Sequence, residues 1–261
     1  MIKNITRFMK KRDIGVDLSD GKLKVFEIKD NIYINKSIEE ISPNINSNNY
    51  SYSSNFINQS IKYVLDNTNK SLLRPRLYIS IPYEVYQLNR SEFINDVIFK
   101  SRVDEIYMVN NFICAAIGSG IAIREVEKRI FIYCLSNLTY IGLLFGGHIF
   151  NGKILEKGYN GLIEIDIKDS IESILKEISP ELPKNFTKMD LPIRLLQEAT
   201  IGWRLDIERK VYLSIPSNLK NKFGSNIGKY QLVYLEYENS TLKGLEKIME
   251  NAKKHGVSSH K

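Results

Sequence analysis

Two thiols and three imidazoles are the side chains best suited to metal or redox chemistry, and their spacing serves neither. Cys114 and Cys134 both sit in apolar runs, "FICAAIG" and "FIYCLS", which predicts reduced, buried residues of a cytosolic protein rather than a disulfide. Two of the three His residues, His255 and His260, fall in the last seven positions. With the two Cys they match no familiar zinc spacing. The other chemical feature is a cluster of basic groups at the start, "MIKNITRFMKKRD". Ile2, Ile5, Phe8 and Met9 recur at helical spacing. Lys3, Arg7, Lys10, Lys11 and Arg12 flank them, with no acid before Asp13. A short basic amphipathic helix of this kind can lie in an anionic membrane interface, with about 1 kcal/mol from each basic group close to the surface; the other readings of the segment are a disordered basic leader and a helix docked on its own domain. Four apolar side chains bind weakly alone, so firm attachment calls for several copies in an oligomer. No long apolar core or small-residue cleavage site follows, so no secretory leader is expected.

The elements that position these residues come from a chain of 261 residues, enough for one large domain or two lobes, with 43% hydrophobic residues and 26% charged. The net charge of +7 favours acidic partners, anionic lipid or nucleic acid. No aromatic–basic platform or recognition helix stands out, which argues against nucleic acid. "DIGVDLSDGKLKVFEI" alternates through Ile14, Val16 and Leu18, turns at Ser19-Asp20-Gly21 and returns through Leu23, Val25 and Phe26, predicting a β-hairpin with a polar tip. Residues 44–55, rich in Asn and Ser, read as a loop. After it "FINQSIKYVLDNTN" reads as a helix, "RPRLYISIP" as a strand, "NRSEFINDVIFKSRV" as a helix, "EIYMVN" as a strand and "FICAAIGSGI" as a helix pressed on a sheet.

Ile130 to Phe150 carries no charged residue and has the length of a membrane span. Yet Phe131, Tyr133 and Leu135 alternate before a turn at Ser136-Asn137, and Thr139, Ile141 and Leu143 alternate after it. The expectation is a buried hairpin ending at Gly146-Gly147, continued by a strand "HIFNGKIL". "SIESILKEI" reads as a helix broken by "SPELP", "KVYLSIP" and "YQLVYLEY" as strands, and "TLKGLEKIMENAKK" as a closing helix before a disordered tail.

In this order three strings resemble MreB, the bacterial actin-like family of cell-shape control. "DIGVDLSDG" is similar to that family's first phosphate hairpin, Asp-Ile-Gly-Ile-Asp-Leu-Gly-Thr. "RPRLYISIP" with "NNFICAAIGSGI" is similar to its interdomain region, Ala115, Ala116, Ile117, Gly118 and Gly120 matching in register. "ILKEISPELP" is similar to its helix end before Pro-Pro-Glu-Leu. The likeness is good over 13–125 and patchy after 130. It implies an α/β, actin-like (ribonuclease H-like) two-lobed fold with lobe II truncated, the missing residues lying between Gly158 and Ser170. The implied organisation is a membrane-binding segment at 1–12 (Ile2, Lys3, Ile5, Arg7, Phe8, Met9, Lys10 and Lys11), lobe I at 13–126, a reduced lobe II at 127–252 and a disordered tail at 253–261.

The resemblance also implies where ATP and Mg²⁺ would sit, and the sequence departs from the family there. Asp17 is retained, but the family's Gly-Thr is Ser19-Asp20, with Gly21 and Lys22 following. Its Glu-Glu-Pro is Asn110-Asn111-Phe112, and neither Asn is a base. In the second phosphate hairpin the acid is replaced by Ile132 or Tyr133, and the glycines by Cys134-Leu135-Ser136, whose side chains fill the space of a pyrophosphate. In place of Thr-Gly-Gly-Gly stands Ile215-Pro216-Ser217, where Pro removes a backbone donor. Asp17, Ser19, Gly21, Lys22, Ser136 and Asn137 remain as a vestigial cofactor-binding set, with no catalytic residue and no metal ligand expected. No cofactor is expected either, ATP with Mg²⁺ entering only if the degenerate pocket is retained. The implied function is that of a pseudo-ATPase at the cytoplasmic face of the inner membrane, binding anionic lipid and an MreB-type filament or shape and division proteins, with self-association open. Two alternatives stand beside it: a divergent actin-like ATPase that binds ATP and polymerises, and a pilus-assembly-type adaptor, to which "KVFE" is close.

Overall fold

The computed structural model describes residues 12–19, 22–27, 32–37, 54–67, 73–82, 103–122, 128–145, 148–177 and 210–255. The chain forms two compact units. Unit 1 holds 1–118 and 239–261, and unit 2 holds 119–238.

In unit 1 the predicted hairpin is present. β1 (Asp13–Asp17) pairs antiparallel with β2 (Lys22–Glu27), Val16 opposite Val25. β3 (Ile32–Ser37), a strand the sequence reading did not pick out, extends it on the β2 side. β4 (Arg76–Ile81) and β5 (Glu105–Asn110) join in parallel, giving the order β3-β2-β1-β4-β5. Alternation on β1 sends Ile14 and Val16 to one face of the sheet, where Ile61 and Val64 of helix α1 (Ser54–Asn67) pack with Leu77, Ile79 and Ile81. Helix α1 begins at Ser54, so the last residues of the predicted Asn/Ser loop are helical. The helix predicted over "NRSEFINDVIFKSRV" lies almost wholly outside the described residues, as do residues 1–11.

The opposite face carries Tyr78 and is covered by helix α2 (Asn111–Gly118) and by a long helix from the far end of the sequence, α4 (Ser240–His255). Its Leu245 and Met249 close a core with Tyr78 and Cys114. This corrects the expected division in three ways. The closing helix belongs to unit 1 rather than to lobe II, the chain leaves unit 1 after Gly118 rather than at 126, and Lys253 is helical rather than part of a tail. The cause is burial: the apolar face of the helix completes the second side of the unit 1 sheet. The two helices meet at glycine. A methyl group on Gly118 would stand 1.7 Å from the carbonyl oxygen of Ser240, and one on Gly244 would stand 1.9 Å from that of Cys114.

Arg12, read from sequence with the basic leader, is instead buried. It donates through Nε and Nη2 to the Glu27 carboxylate at 2.6 and 2.8 Å. Asp13, the next residue, takes two hydrogen bonds from Arg76.

Unit 2 is built on the uncharged stretch. β6 (Arg129–Cys134) and β7 (Thr139–Phe145) form the predicted hairpin, and β8 (His148–Leu155) follows. β9 (Lys210–Ser214) pairs parallel to β6, then β11 (Tyr230–Leu235) parallel to β9, with β10 (Asn226–Ile227) at the edge. Helix α3 (Glu164–Glu177) lays Ile167, Ile171 and Ile174 on Ile130, Ile132, Ile141 and Leu143. The lack of charge is thus explained by burial on both faces of two neighbouring strands. Among the described residues no helix is long and apolar enough to cross a membrane. β8 reaches α3 through residues 156–163 alone, which leaves no room there for an added subdomain.

Candidate functional site

Parallel strands collect ligand-binding groups at their C-terminal ends. In unit 1 those ends are Asp17, Ser80 and Asn110, brought level because Asp17 pairs with Ser80, and Ile81 with Asn110. Asp17 is fully buried, and both its oxygens are in use. Oδ1 accepts the Ser19 N–H at 3.1 Å, and Oδ2 accepts the Ser19 hydroxyl at 2.9 Å. Ser19 Oγ also lies 3.4 Å from Thr241 Oγ1, a residue 222 positions later. The turn therefore points its one described donor pair at its own aspartate. Gly21 lies outside the described residues, and Lys22 is the first residue of β2.

Asn110 accepts the Phe112 N–H at 2.8 Å through Oδ1, a side-chain cap that satisfies an otherwise orphaned donor at the start of α2. Asn111 is 0% exposed, and neither its amide oxygen nor its nitrogen has a hydrogen-bond partner among the described residues. Such a group costs roughly 1–3 kcal/mol unless something satisfies it. Burial, with the nearby Asp17 charge adding to it, pushes the Cys114 thiol well above its ordinary pKa, against a hydrogen bond with Ser80.

In unit 2 the β6–β7 turn carries half-buried Ser136 and exposed Asn137. It is closed by the Leu135 N–H donating to Leu138 O at 2.8 Å, and roofed by a distant segment. The Tyr159 N–H donates to Leu135 O at 2.9 Å, and the Thr139 hydroxyl to Lys157 O at 2.7 Å. Gly158 lies so close that a methyl group there would be 1.7 Å from Ser136 O. The Lys222 ammonium fixes this segment by donating to the carbonyls of Tyr159 and Asn160 at 2.8 and 3.1 Å. Ile132 faces the core. Tyr133 is 3% exposed, with ring centroids 6.3 Å from Phe131 and 6.0 Å from Tyr237. Burial pushes the Cys134 thiol up to about 12, against a hydrogen bond with Thr139 and the charge of Lys222.

Beyond β9 the chain runs through Ile215 and Pro216 into a 3-10 turn, Ser217–Lys222. Its first N–H and the hydroxyl of Ser217 both donate to the Glu238 carboxylate, at 3.3 and 2.9 Å. Partial burial works against that carboxylate, yet bonds from its own N–H and from Ser217 hold it below its ordinary pKa. The Ser214 and Ser119 hydroxyls donate to Glu236 O at 3.1 and 2.7 Å. Sequence reasoning found Asp17, Ser19, Ser136 and Asn137. It missed Thr241, Gly158, Lys222 and Glu238, each far along the chain from the group it meets.

At these three loops the Asp17 oxygens accept Ser19, the segment at Gly158 lies on the second turn, and the Glu238 carboxylate takes the Ser217 donors. Among the described residues no three His, Cys, Asp or Glu side chains group as metal ligands.

No family model matches the chain, and no curated protein matches it in sequence. Solved structures do match. The chain is similar to MreB5 of Spiroplasma citri bound to ADP, with a TM-score of 0.61 at 14% identity over 94% of this chain and 98% of that one. It is similar to MamK in a double helical filament, with 0.54 at 10% identity over 94% and 99%. Apo psk41 ParM gives 0.52 at 10% identity over 93% and 98%. The chain has the actin-like ATPase fold.

Proposed function

We propose that this chain is a non-hydrolysing, MreB-like member of the actin-fold proteins, acting as a binding module at the cytoplasmic face of the inner membrane. Residues 2–11 would hold anionic lipid, and the folded units would engage an MreB-type filament or shape and division proteins, with self-association as a further mode. The observation that carries this is common to three loops. At Asp17–Ser19, at the Ser136 turn and at Ser217–Glu238, the groups a nucleotide's phosphates would need are consumed or covered by the chain itself. Freeing a hydrogen bond to a charged group costs roughly 1.5–3 kcal/mol, so a nucleotide would have to offset several such losses before gaining affinity. The filament side is supported by one structural neighbour, MamK, which was solved as a double helical filament.

The test is a thermal shift with ATP and Mg²⁺. Ligand at a thousand times its Kd stabilises by about 4.1 kcal/mol. The proposal expects no shift at millimolar ATP, and a rise of several degrees at micromolar ATP would overturn it. One observation favours a second reading, in which nucleotide is still bound without the family's residues: Asn111 is buried with both amide atoms unpartnered among the described residues, as a group awaiting a ligand would be.

A further inference from the structure

The six-stranded sheet of unit 2 ends on two unlike strands. β10 is two residues long, whereas β8 runs for eight and has no strand beyond it among the described residues. Its burial is that of an edge: His148, Phe150, Gly152 and Lys153 are exposed, while β7 beside it is buried at all but its last residue. An edge of that length is a template for a strand from another copy of the chain, because alternate residues turn their N–H and C=O groups outward. The pairing with β7 shows which residues these are. Ile141 stands opposite Lys153, and its carbonyl oxygen lies 3.2 Å from where a methyl on Gly152 would be, so that carbonyl points towards β8. The Ile141–Lys153 pair therefore exchanges ladder bonds, and Gly152 and Ile154, on either side of Lys153, turn theirs outward.

Three features of this edge oppose an incoming strand. The Gly152 N–H, an outward donor near the middle of the strand, already donates to Asn151 Oδ1 at 2.7 Å. The register slips between Leu143 and Leu144, where Phe150 is the extra residue on β8, and such a bulge bends a strand out of line. Asn151 and Lys153 stand opposite Leu143 and Ile141, both core residues beneath α3. Where a strand inside this sheet would carry apolar side chains, β8 thus carries an amide and an ammonium. A further strand would strip water from that ammonium. We propose that Asn151, with the Phe150 bulge and Lys153, is a guard that keeps β8 from pairing edge to edge with a second copy of the chain. The inference is independent of the nucleotide and membrane readings, and it confines self-association to other surfaces.

The test is sedimentation velocity of the full chain and of the double variant Asn151→Val with Lys153→Val, each over a range of concentrations. The variant loses the cap and the charge and gains two strand-forming side chains. Each substitution counts twice in a symmetric pair, so the variant should associate at concentrations roughly tenfold or more below those of the wild type. Adding Gly152→Pro removes the freed donor and should return association to the wild-type level. Far-UV circular dichroism should be the same for all. Amide exchange reads the cap with no second copy involved: the Gly152 N–H should exchange more slowly in the wild type than in Asn151→Ala. A double variant that associates no more than the wild type overturns the guard. So does a Gly152 N–H that exchanges equally fast in the wild type and in Asn151→Ala. Association that survives Gly152→Pro overturns its assignment to the β8 edge.

Discussion

Replacing Gly118 by Ala should destabilise unit 1 although alanine is the better helix former. The added methyl would stand 1.7 Å from Ser240 O, 2.6 Å from Ser240 C and 2.8 Å from Gly244 N, all of them backbone atoms that no rotamer change can move. The first distance is about half an ordinary contact of 3.5–4.0 Å. Helices α2 and α4 must separate, and separation also loosens the Gly244–Cys114 contact and the Lys247 bond to Ile117 O at 3.0 Å. Overpacking of this kind costs about 1–3 kcal/mol or more, and with backbone on both sides the upper end applies. Alanine returns up to about 1 kcal/mol of helix propensity. A net loss of about 2 kcal/mol follows, or roughly 4–8 °C in Tm for a chain of this size. The assay is urea unfolding followed by far-UV circular dichroism. Gly161→Ala is the control, since its methyl would meet nothing nearer than Gly158 O at 4.0 Å. A Gly118→Ala midpoint equal to that of the control would refute the close helix crossing.

Glu27→Ala should cost about 3–5 kcal/mol by leaving Arg12 charged and buried, and Arg12→Met with Glu27→Leu should recover most of it, both read from urea midpoints. Asn111→Leu should leave stability unchanged or raise it by up to about 1–3 kcal/mol if the amide is unsatisfied; a clear loss in the same assay would show that something holds it. Cys134 should resist a thiol reagent at pH 8 until the protein unfolds. Its raised pKa keeps the folded thiol protonated, so this group's contribution to stability is full below the unfolded pKa of 9.0. It is lost as pH climbs towards about 12, which an alkaline unfolding series would show as a falling midpoint.

The features legible in the sequence were local ones. An Asp-Gly turn between alternating apolar residues announced β1 and β2, and a turn at Ser136-Asn137 resolved the uncharged stretch into β6 and β7. Helix α4 was legible as a helix from its periodicity, but not as part of unit 1, because its neighbour in sequence, β11, belongs to unit 2. β3 escaped because "IYINKS" alternates only briefly before polar residues. Arg12 looked like one more basic residue of the leader, since nothing local reveals Glu27 fifteen positions on. The site followed the same rule. Asp17 and Ser19 share a turn and were found together, whereas Thr241 reaches Ser19, and Glu238 reaches Ser217, only through tertiary structure. Side-chain identity gave the departures from the family's acid and glycines, but that Gly158 lies on the Ser136 turn and Glu238 takes the Ser217 donors is a fact of folding.

The central proposal, that the loops at Asp17, Ser136 and Ser217 do not hold a nucleotide, is tested most directly by isothermal titration of the full chain with ATP in the presence of Mg²⁺. The account predicts no saturable heat up to millimolar ATP. A one-to-one isotherm with a micromolar Kd would contradict it.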